Sequence, residues 1–329
     1  MKRNNIMRLR TQDALTYDRA TIDSAGAFLV GELERLDPAL HYPMAAYTWS
    51  RDINVRNDVS MADEVSSFTN SSFAAPDGRS ATGKNWIGKD SNAIQGMQLD
   101  IGKTAHPLTL WGMQLGWTLP ELASAEKLGR PVDQQKLLGM QRKWQMDIDE
   151  QVYVGDSSIG ATGLLNDPNV TESNAPNGDW SQTTDPDQII EDVNDQLNRV
   201  WENTGWSQCP GKLLLSPSKM AVLVSAKVST AGNMSVLNYL KQNSLSNSVN
   251  GTPLDVQAVK WLDASAPTSG GVHRMMAYTN QQDMVRFPMV PLQRTPLEFR
   301  DLRQLVTYYG RLGQVEFVYP NSAGYTSGI

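Results

Sequence analysis

The chain has 329 residues, of which 29 are basic and 35 acidic, so its formal net charge is −6 at pH 7. This length fits one large domain or two closely packed ones, and a composition that is 40% hydrophobic excludes a disordered chain. The acidic balance argues against a dedicated nucleic-acid binder, whose affinity depends on neutralising phosphates. The single cysteine, Cys209, suits a reducing compartment, and the chain has no apolar run of about 18 residues that would predict a membrane span.

The first 45 residues are weakly patterned and predict an extended N-terminal arm. Within this arm, residues 25–36 carry apolar side chains at helical spacing and predict a short amphipathic helix. Large side chains at alternate positions over Ala46–Val55 then predict a strand.

Residues 57–100 contain few large apolar side chains among many Ser, Asn, Asp and Gly residues. Such a segment cannot bury enough surface to order itself alone. The dipeptide Asp77-Gly78, near its middle, is typical of hairpin turns. We therefore predict a protruding two-stranded hairpin that becomes ordered against another subunit.

The strongest helical pattern follows Pro131. Apolar residues spaced by three or four positions predict a helix over 131–154, roughly 30 Å long at the usual rise per residue. These apolar residues are Leu137, Met140, Trp144, Ile148 and Val152. Upstream, Thr118 and Glu121 form a capping box that predicts a shorter helix ending before Gly129.

The second half of the chain predicts helices followed by strands. Helices are predicted to start at Asp185-Pro186 and Ser216-Pro217, where a capping residue precedes proline, and another over 234–242. Strands are predicted over 212–215, 254–259, 272–278, 283–287, 304–309 and 314–319. Because strands and helices are segregated, the predicted class is α+β.

One segment has the spacing of a nucleotide-binding loop. Residues Gly78–Lys84 match GxxxxGK, whose backbone N–H groups and lysine hold phosphates in P-loop proteins. However, Asn85 stands where a magnesium-binding Ser or Thr is needed, and neither a buried strand nor a helix flanks the segment. We interpret it as an ordinary loop.

Other candidate chemistry is weak. The three histidines lie far apart without metal-ligand spacing, and Cys209 is expected to be a buried small hydrophobe. Asp147, Asp149 and Glu150 are expected to form a solvated face of the long helix. The sequence therefore predicts no enzyme, no metal and no cofactor.

Three stretches carry a resemblance to a known family. These are the segment GATGLLNDPNV that follows the long helix (160–170), KLLLSP (212–217) and the ending YYGRLGQVEFVYPNSAGYTSGI (308–329). Together with the order of elements, they resemble the tailed-phage major capsid proteins of the Hong Kong 97 type, in which the long helix is the spine helix. The resemblance implies an N-terminal arm (1–45), a strand of the peripheral P-domain (46–56), an E-loop (57–105), the P-domain with its spine helix (106–209), an axial A-domain (210–290) and the closing P-domain strands with the C-terminal tail (291–329).

The resemblance also implies a function. The chain would be the structural subunit of an icosahedral phage head, assembled in the host bacterial cytoplasm as hexamers and pentamers that enclose double-stranded DNA without reading its sequence. A portal and decoration or scaffolding proteins would be further partners, and the virion its location. Within the hairpin, the residues predicted to contact a neighbouring subunit are Asp77, Gly78, Lys84, Trp86 and Lys89.

Two alternatives remain open at this point. A cellular nanocompartment shell of the encapsulin type shares the fold, and the amphipathic residues 25–36 would then bind cargo. A nucleotide hydrolase using Gly78–Lys84 belongs to a different class, and nucleotide binding by the purified protein would distinguish it from both shells.

Overall fold

The computed structural model describes residues 46–74, 98–128, 132–180, 185–228 and 233–329. Its α-helices are α1 Trp49–Asp52, α2 Leu119–Leu128, α3 Val132–Tyr153, α4 Pro186–Asn203, α5 Pro217–Ser225, α6 Val236–Asn243 and α7 Leu245–Asn250. Its strands are β1 Asn54–Arg56, β2 Val65–Ala74, β3 Gln98–Pro107, β4 Thr109–Thr118, β5 Gly155–Asp156, β6 Ala161–Thr162, β7 Thr171–Asn174, β8 Lys212–Leu215, β9 Asp255–Ala258, β10 Arg274–Tyr278, β11 Val285–Arg294, β12 Glu298–Arg300, β13 Arg303–Leu312, β14 Glu316–Phe317 and β15 Ala323–Ser327.

The long helix α3 packs on a six-stranded sheet. In that sheet β1, β11, β13 and β12 lie in this order, β14 pairs with β11, and β4 pairs with β13 along its whole length. The apolar positions predicted for α3 are buried or half-buried, with Ile148 and Val152 fully enclosed. Gly310 on β13 lets the helix approach, because a Cβ there would lie 2.8 Å from the Trp144 ring. The predicted helix over 131–154 is confirmed.

The shorter helix α2 begins as its capping box predicts. The Thr118 hydroxyl accepts a hydrogen bond from the Glu121 N–H at 3.3 Å, and the Thr118 N–H donates to the Glu121 carboxylate at 3.5 Å. Lys136 of α3 forms an ion pair with the same carboxylate at 2.7 Å. The cap therefore also ties α2 to α3.

A second, five-stranded sheet has the order β7-β15-β10-β8-β9. Every residue of β8, β10 and β15 is buried. The amphipathic helix α4 covers this sheet through Ile189, Val193 and Leu197, and it starts where Asp185 accepts a hydrogen bond from the Asp187 N–H at 3.2 Å. The helices and most of the strands predicted for this half of the chain are thus present, with small shifts of their ends.

The sheet has one feature that the α+β prediction did not include. Strands β8 and β9 are parallel neighbours, and α5, α6 and α7 connect them. This crossover follows from length, because a parallel pair needs a long connection and the 39 residues between Leu215 and Asp255 supply it. Helix α4 likewise connects β7 to β8 of the same sheet, so strands and helices alternate from β7 to β9. The predicted segregation does not extend to this part of the chain, whereas β10 to β15 follow one another without an intervening α-helix.

The predicted strand over Ala46–Val55 is wrong for most of its length. Residues Trp49–Asp52 form the short helix α1, and only Asn54–Arg56 form a strand. The cause lies about a hundred residues away, where a carboxylate oxygen of Asp149 accepts the Thr48 N–H at 2.7 Å and the Trp49 N–H at 3.2 Å.

The spine helix and the five-stranded sheet meet at the buried side chain of Asp52. Its carboxylate accepts hydrogen bonds from Arg51 at 2.7 Å and from the Tyr153 hydroxyl, and it lies 3.1 Å from the Lys212 ammonium on β8. The hydroxyl of Tyr278, on β10, donates to the Asp52 carbonyl. Residues of the spine helix and of the five-stranded sheet are thereby held at one point.

The motif GATGLLNDPNV forms a tight junction after the spine helix. The side chain of Asn166 accepts the Gly163 N–H and donates to the Val154 carbonyl, each at 2.7 Å. Leu164 and Leu165 are fully buried beneath it. At Gly155, where φ is +74°, a Cβ would lie 2.3 Å from the Ala161 carbonyl oxygen, so the turn requires glycine. The motif is therefore a structural element and not a reactive one.

Within the described residues, no helix combines the length and the apolar character needed to cross a membrane.

Candidate interaction surfaces

The predicted hairpin is confirmed in its two legs. Strands β2 and β3 pair in antiparallel register from Val65 opposite Pro107 to Ala74 opposite Gln98. Each leg has ten residues, which corresponds to about 34 Å of extended chain. Among the side chains that the structure describes in the hairpin, only Ser66 is buried. The legs therefore offer a long, largely exposed ribbon.

The base of the hairpin is held by a buried carboxylate. Glu316, on β14, is fully enclosed and contacts Arg56 at 3.3 Å, Arg286 at 2.7 Å and the Ser66 hydroxyl. Arg56 also donates to the Ser67 carbonyl at 3.1 Å and pairs with Asp58, whose pKa this guanidinium lowers. The root of the ribbon is thus held by buried ion pairs, and farther along β2 the Asn70 side chain donates to the Val318 carbonyl at 3.2 Å.

Strand β4 is an edge strand in the part of the chain that the structure describes. It pairs with β13 on one side, and no described strand pairs with its other side. Leu110, which is 59% exposed, Gly112 and Gln114 all lie in the open. Exposed edges of this length are sites where another chain can add a strand.

A groove of about 800 Å³ opens beside the first residues of β4. Its wall includes Leu110, and its far side carries Asp147 and Glu150 of the spine helix and Asp156 of β5. Among the described residues, no lysine or arginine lines the groove, although Lys143 forms an ion pair with Asp147. The groove is therefore acidic with an apolar wall.

A further exposed apolar patch lies at the turn between β12 and β13. Phe299 is 68% exposed and Leu302 66% exposed, and Leu297 and Leu119 lie in the open beside them. Asp301 has a positive φ of 54°, which closes the tight turn.

The acidic residues Asp147, Asp149 and Glu150 of the spine helix were expected to form a solvated face, but the structure does not show one. Asp149 is buried and accepts hydrogen bonds from the Trp261 indole N–H at 3.0 Å as well as from the backbone before α1, and Lys260 lies 3.1 Å away. Asp147 accepts the Trp111 indole N–H at 2.9 Å. Of the three, only Glu150 is exposed. The expectation is wrong for Asp149 because its partners come from segments far along the chain.

Cys209 is buried, as expected, with 4% of its surface exposed, and this burial raises the pKa of its thiol to about 11. It is therefore a poor nucleophile at neutral pH. Among the described residues, no group of three or more His, Cys, Asp and Glu side chains could hold a metal ion.

The predicted contact residues Asp77, Gly78, Lys84, Trp86 and Lys89 lie outside the described residues, as does the Gly78–Lys84 loop. Their role stays a prediction. The edge strand β4 was missed at the sequence level, although Trp111, Met113, Leu115 and Trp117 alternate with small or polar residues in the pattern of a strand with one buried face.

Comparison with known proteins gives a family and a fold. The sequence profile of the family described as "Major capsid protein" matches residues 83–329. No curated protein matches the chain by sequence.

Several solved structures share the fold. A chain from "The capsid of Myoviridae Phage XM1" matches with a TM-score of 0.74 at 17% identity, covering 91% of this chain and 98% of that one. A chain from "Capsid of native GTA particle computed with C5 symmetry" matches with a TM-score of 0.58 at 12% identity, covering 92% and 98%. A chain from Mycobacterium phage Ogopogo matches with a TM-score of 0.56 at 12% identity, again covering 92% and 98%.

Proposed function

Because the chain belongs to the major capsid protein family, we propose that it forms hexamers and pentamers that build a phage head around double-stranded DNA. Family membership itself confirms three predictions made from the sequence: the chain is a structural capsid subunit that assembles with its own copies, it is not an enzyme, and it is located in the virion. The predicted Hong Kong 97-type fold is also confirmed. Among the functions considered, the family favours the phage head over a nanocompartment shell or a nucleotide hydrolase.

The proposed division into domains follows the two sheets. The six-stranded sheet with the spine helix α3 supports the peripheral P-domain (106–209), and β8–β10 with α5–α7 support the axial A-domain (210–290). Strand β7 and helix α4 fall within the P-domain range but belong to the five-stranded sheet. Strand β15, at 323–327, completes the second sheet, so the last residues would join the A-domain side rather than only close the P-domain. The hairpin of β2 and β3 would be the E-loop, extending over a neighbouring subunit.

One observation carries this proposal: the ribbon of β2 and β3 is held at its base and largely exposed along its legs. A two-stranded ribbon is marginally stable in water without a further partner. In a shell, the surface of the next subunit provides that partner. The contacts predicted for Asp77, Gly78, Lys84, Trp86 and Lys89 belong to the same proposal.

The charge of the chain fits a container for DNA. With a net charge of −6, the subunit has no general attraction for phosphates and can enclose DNA without holding it. We further propose that the shell incorporates a portal and binds decoration or scaffolding proteins.

Electron microscopy and light scattering of the purified, expressed protein test the proposal. We expect capsomers or closed shells with five-fold and six-fold clusters. A single stable monomer across a wide range of concentration and salt would overturn it. As a control for the nucleotide alternative, the wild type should hydrolyse neither ATP nor GTP, and Lys84→Ala should leave the fold of the subunit intact. Stoichiometric ATP binding that this substitution abolishes would favour a hydrolase.

A further inference from the structure

We propose that the free edge of β4 is a strand-addition site that receives the β2–β3 hairpin of a second copy of this chain. The inference rests on the proposed function, in which the hairpin extends over a neighbour, and it names the acceptor on that neighbour. Recognition would come from main-chain hydrogen bonds, as in other cases of strand addition.

The direction of each backbone group on β4 follows from the ladder with β13. The Leu119 N–H donates to the Leu302 carbonyl at 3.0 Å, which continues the register in which Thr118 lies opposite Arg303. Hydrogen-bonded and non-hydrogen-bonded pairs alternate in an antiparallel ladder. Odd-numbered residues of β4 therefore bond to β13, and even-numbered residues direct their N–H and C=O groups to the free side.

An independent contact supports this assignment. The Lys136 ammonium donates to the Gly116 carbonyl at 3.0 Å, so that carbonyl faces away from β13. Lysine at one end of an exposed strand is a common guard against unwanted pairing. Here it covers only the end of the edge. Leu110, Gly112 and Gln114 keep their outward backbone groups free of described strands, and all three residues are exposed.

The hairpin offers a matching open edge on β3. The Leu108 N–H bonds to the Glu64 carbonyl at 2.9 Å, so even-numbered residues of β3 face β2 and odd-numbered ones face outward. On the other leg, Arg56 already occupies the outward carbonyl of Ser67. On β3, Ile101, Lys103 and Ala105 present outward N–H groups and are exposed, whereas Pro107 has none.

The partner strand must come from another copy. Strand β3 is joined to β4 by a single residue, Leu108. An antiparallel neighbour needs a turn of about two residues, and a parallel one needs a connection of about a dozen. A chain therefore cannot place its own β3 beside its own β4. The two strands do match in length, with ten residues each.

Charge favours the same pairing. Lys103 is an exposed cation on the open edge of β3, and the groove beside the start of β4 presents Glu150 and Asp156, whereas Asp147 there is already paired with Lys143. A hairpin that follows β4 would bring the lysine toward these carboxylates. Such complementarity sets register and orientation more than affinity.

Disulfide trapping in assembled particles tests the inference. Gln114→Cys on β4 is combined in turn with Ile101→Cys, Lys103→Cys or Ala105→Cys, because cross-strand neighbours lie within the Cα separation of about 4.4–6.8 Å that a disulfide needs. The native Cys209 is buried and does not compete. We expect at least one pair to give ladders of linked subunits on a non-reducing gel that collapse on reduction.

The matched control moves the acceptor to another exposed position. Val249→Cys on α7, combined with the same β3 substitutions, should give no ladder. If wild-type particles form but no β4 pair links above this control, the hairpin docks elsewhere and the inference is wrong while the proposed function stands. If the wild-type chain forms no assembly, the proposed function itself fails.

A proline substitution tests the main-chain hydrogen bonds directly. It also provides a test of the inference if the cysteine variants do not assemble. Gln114→Pro removes an outward N–H that the isolated subunit does not use, and proline is tolerated at edge strands in this orientation. Compared with Gln114→Ala, it should keep the circular dichroism spectrum and lower the yield of particles about tenfold, the effect of roughly one hydrogen bond. Equal yields from the two variants would overturn the inference.

Discussion

The five-stranded sheet and the hairpin represent opposite ways of stabilising a strand. In the sheet, β8, β10 and β15 are buried at every residue and have strand partners on both sides. In the hairpin, β2 and β3 pair as strands only with each other, and most of their described side chains are exposed. The difference indicates that the central strands of the five-stranded sheet are stabilised within the subunit, and it fits the proposal that a neighbour completes the hairpin.

Both regions are nevertheless anchored by a buried carboxylate. Asp52 receives Lys212 of the five-stranded sheet, and Glu316 receives two arginines at the root of the hairpin. The first anchor lies where the spine helix and the five-stranded sheet meet, so its loss would affect the body. The second joins β1, β11 and β14 of the six-stranded sheet and also fixes how the hairpin leaves the body. Substitutions can therefore distinguish the stability of the body from the attachment of the hairpin.

The largest effect is expected from the packed body. Trp144 of the spine helix is buried against Trp111, with ring centroids 4.8 Å apart. Trp144→Ala should lower the free energy of unfolding by about 3–5 kcal/mol and reduce the yield of soluble subunit. Met146→Ala, on the exposed side of the same helix, should change it by no more than about 0.5 kcal/mol in the same urea titration. Equal losses would contradict the placement of the core.

The next effect is expected at the root of the hairpin. Glu316→Gln keeps the shape of the side chain but leaves Arg56 and Arg286 beside a neutral group. We expect a loss of about 3 kcal/mol, measured by urea unfolding, because a buried pair is broken on one side. Asp58→Asn removes an exposed carboxylate from the same Arg56 and should cost at most about 1 kcal/mol. A larger loss for Asp58→Asn would mean that the root is held at the surface.

A smaller effect is expected at the turn after the spine helix. Gly155 and Gly178 have nearly the same positive φ, +74° and +75°, but only Gly155 is crowded where a Cβ would lie. Gly178→Ala should cost about 1 kcal/mol through its backbone conformation alone. Gly155→Ala should cost about 2 kcal/mol more in thermal unfolding, because the added methyl group must displace the backbone of the facing strand. Equal costs would show that this junction yields easily.

The sequence could predict those parts whose cause is local. The period of apolar residues predicts the spine helix, and the scarcity of large apolar residues in 57–100 predicts a hairpin that needs a partner. The helix α1 could not be predicted in this way, because Asp149 caps it from about a hundred residues away. The burial of Asp149 has the same origin. The edge of β4, by contrast, was visible as an alternation of large side chains from Trp111 to Trp117 and was overlooked.

The smallest effect on the subunit, and the largest on assembly, is expected at the tip of the hairpin. Deleting residues 76–84 removes no residue of the described core, so urea unfolding and circular dichroism of the subunit should stay close to wild type. Particle yield should fall, because the segment predicted to contact the neighbour is lost. A second variant, in which a Gly/Ser linker of equal length replaces residues 76–84, separates the loss of chain length from the loss of specific contacts. If specific contacts matter, this variant should assemble no better than the deletion. If the deletion unfolds the subunit while Trp144→Ala assembles normally, the assignment of Trp144 to the core and of residues 76–84 to the interface is wrong. The contrast between the packed body and the hairpin would then be wrong as well.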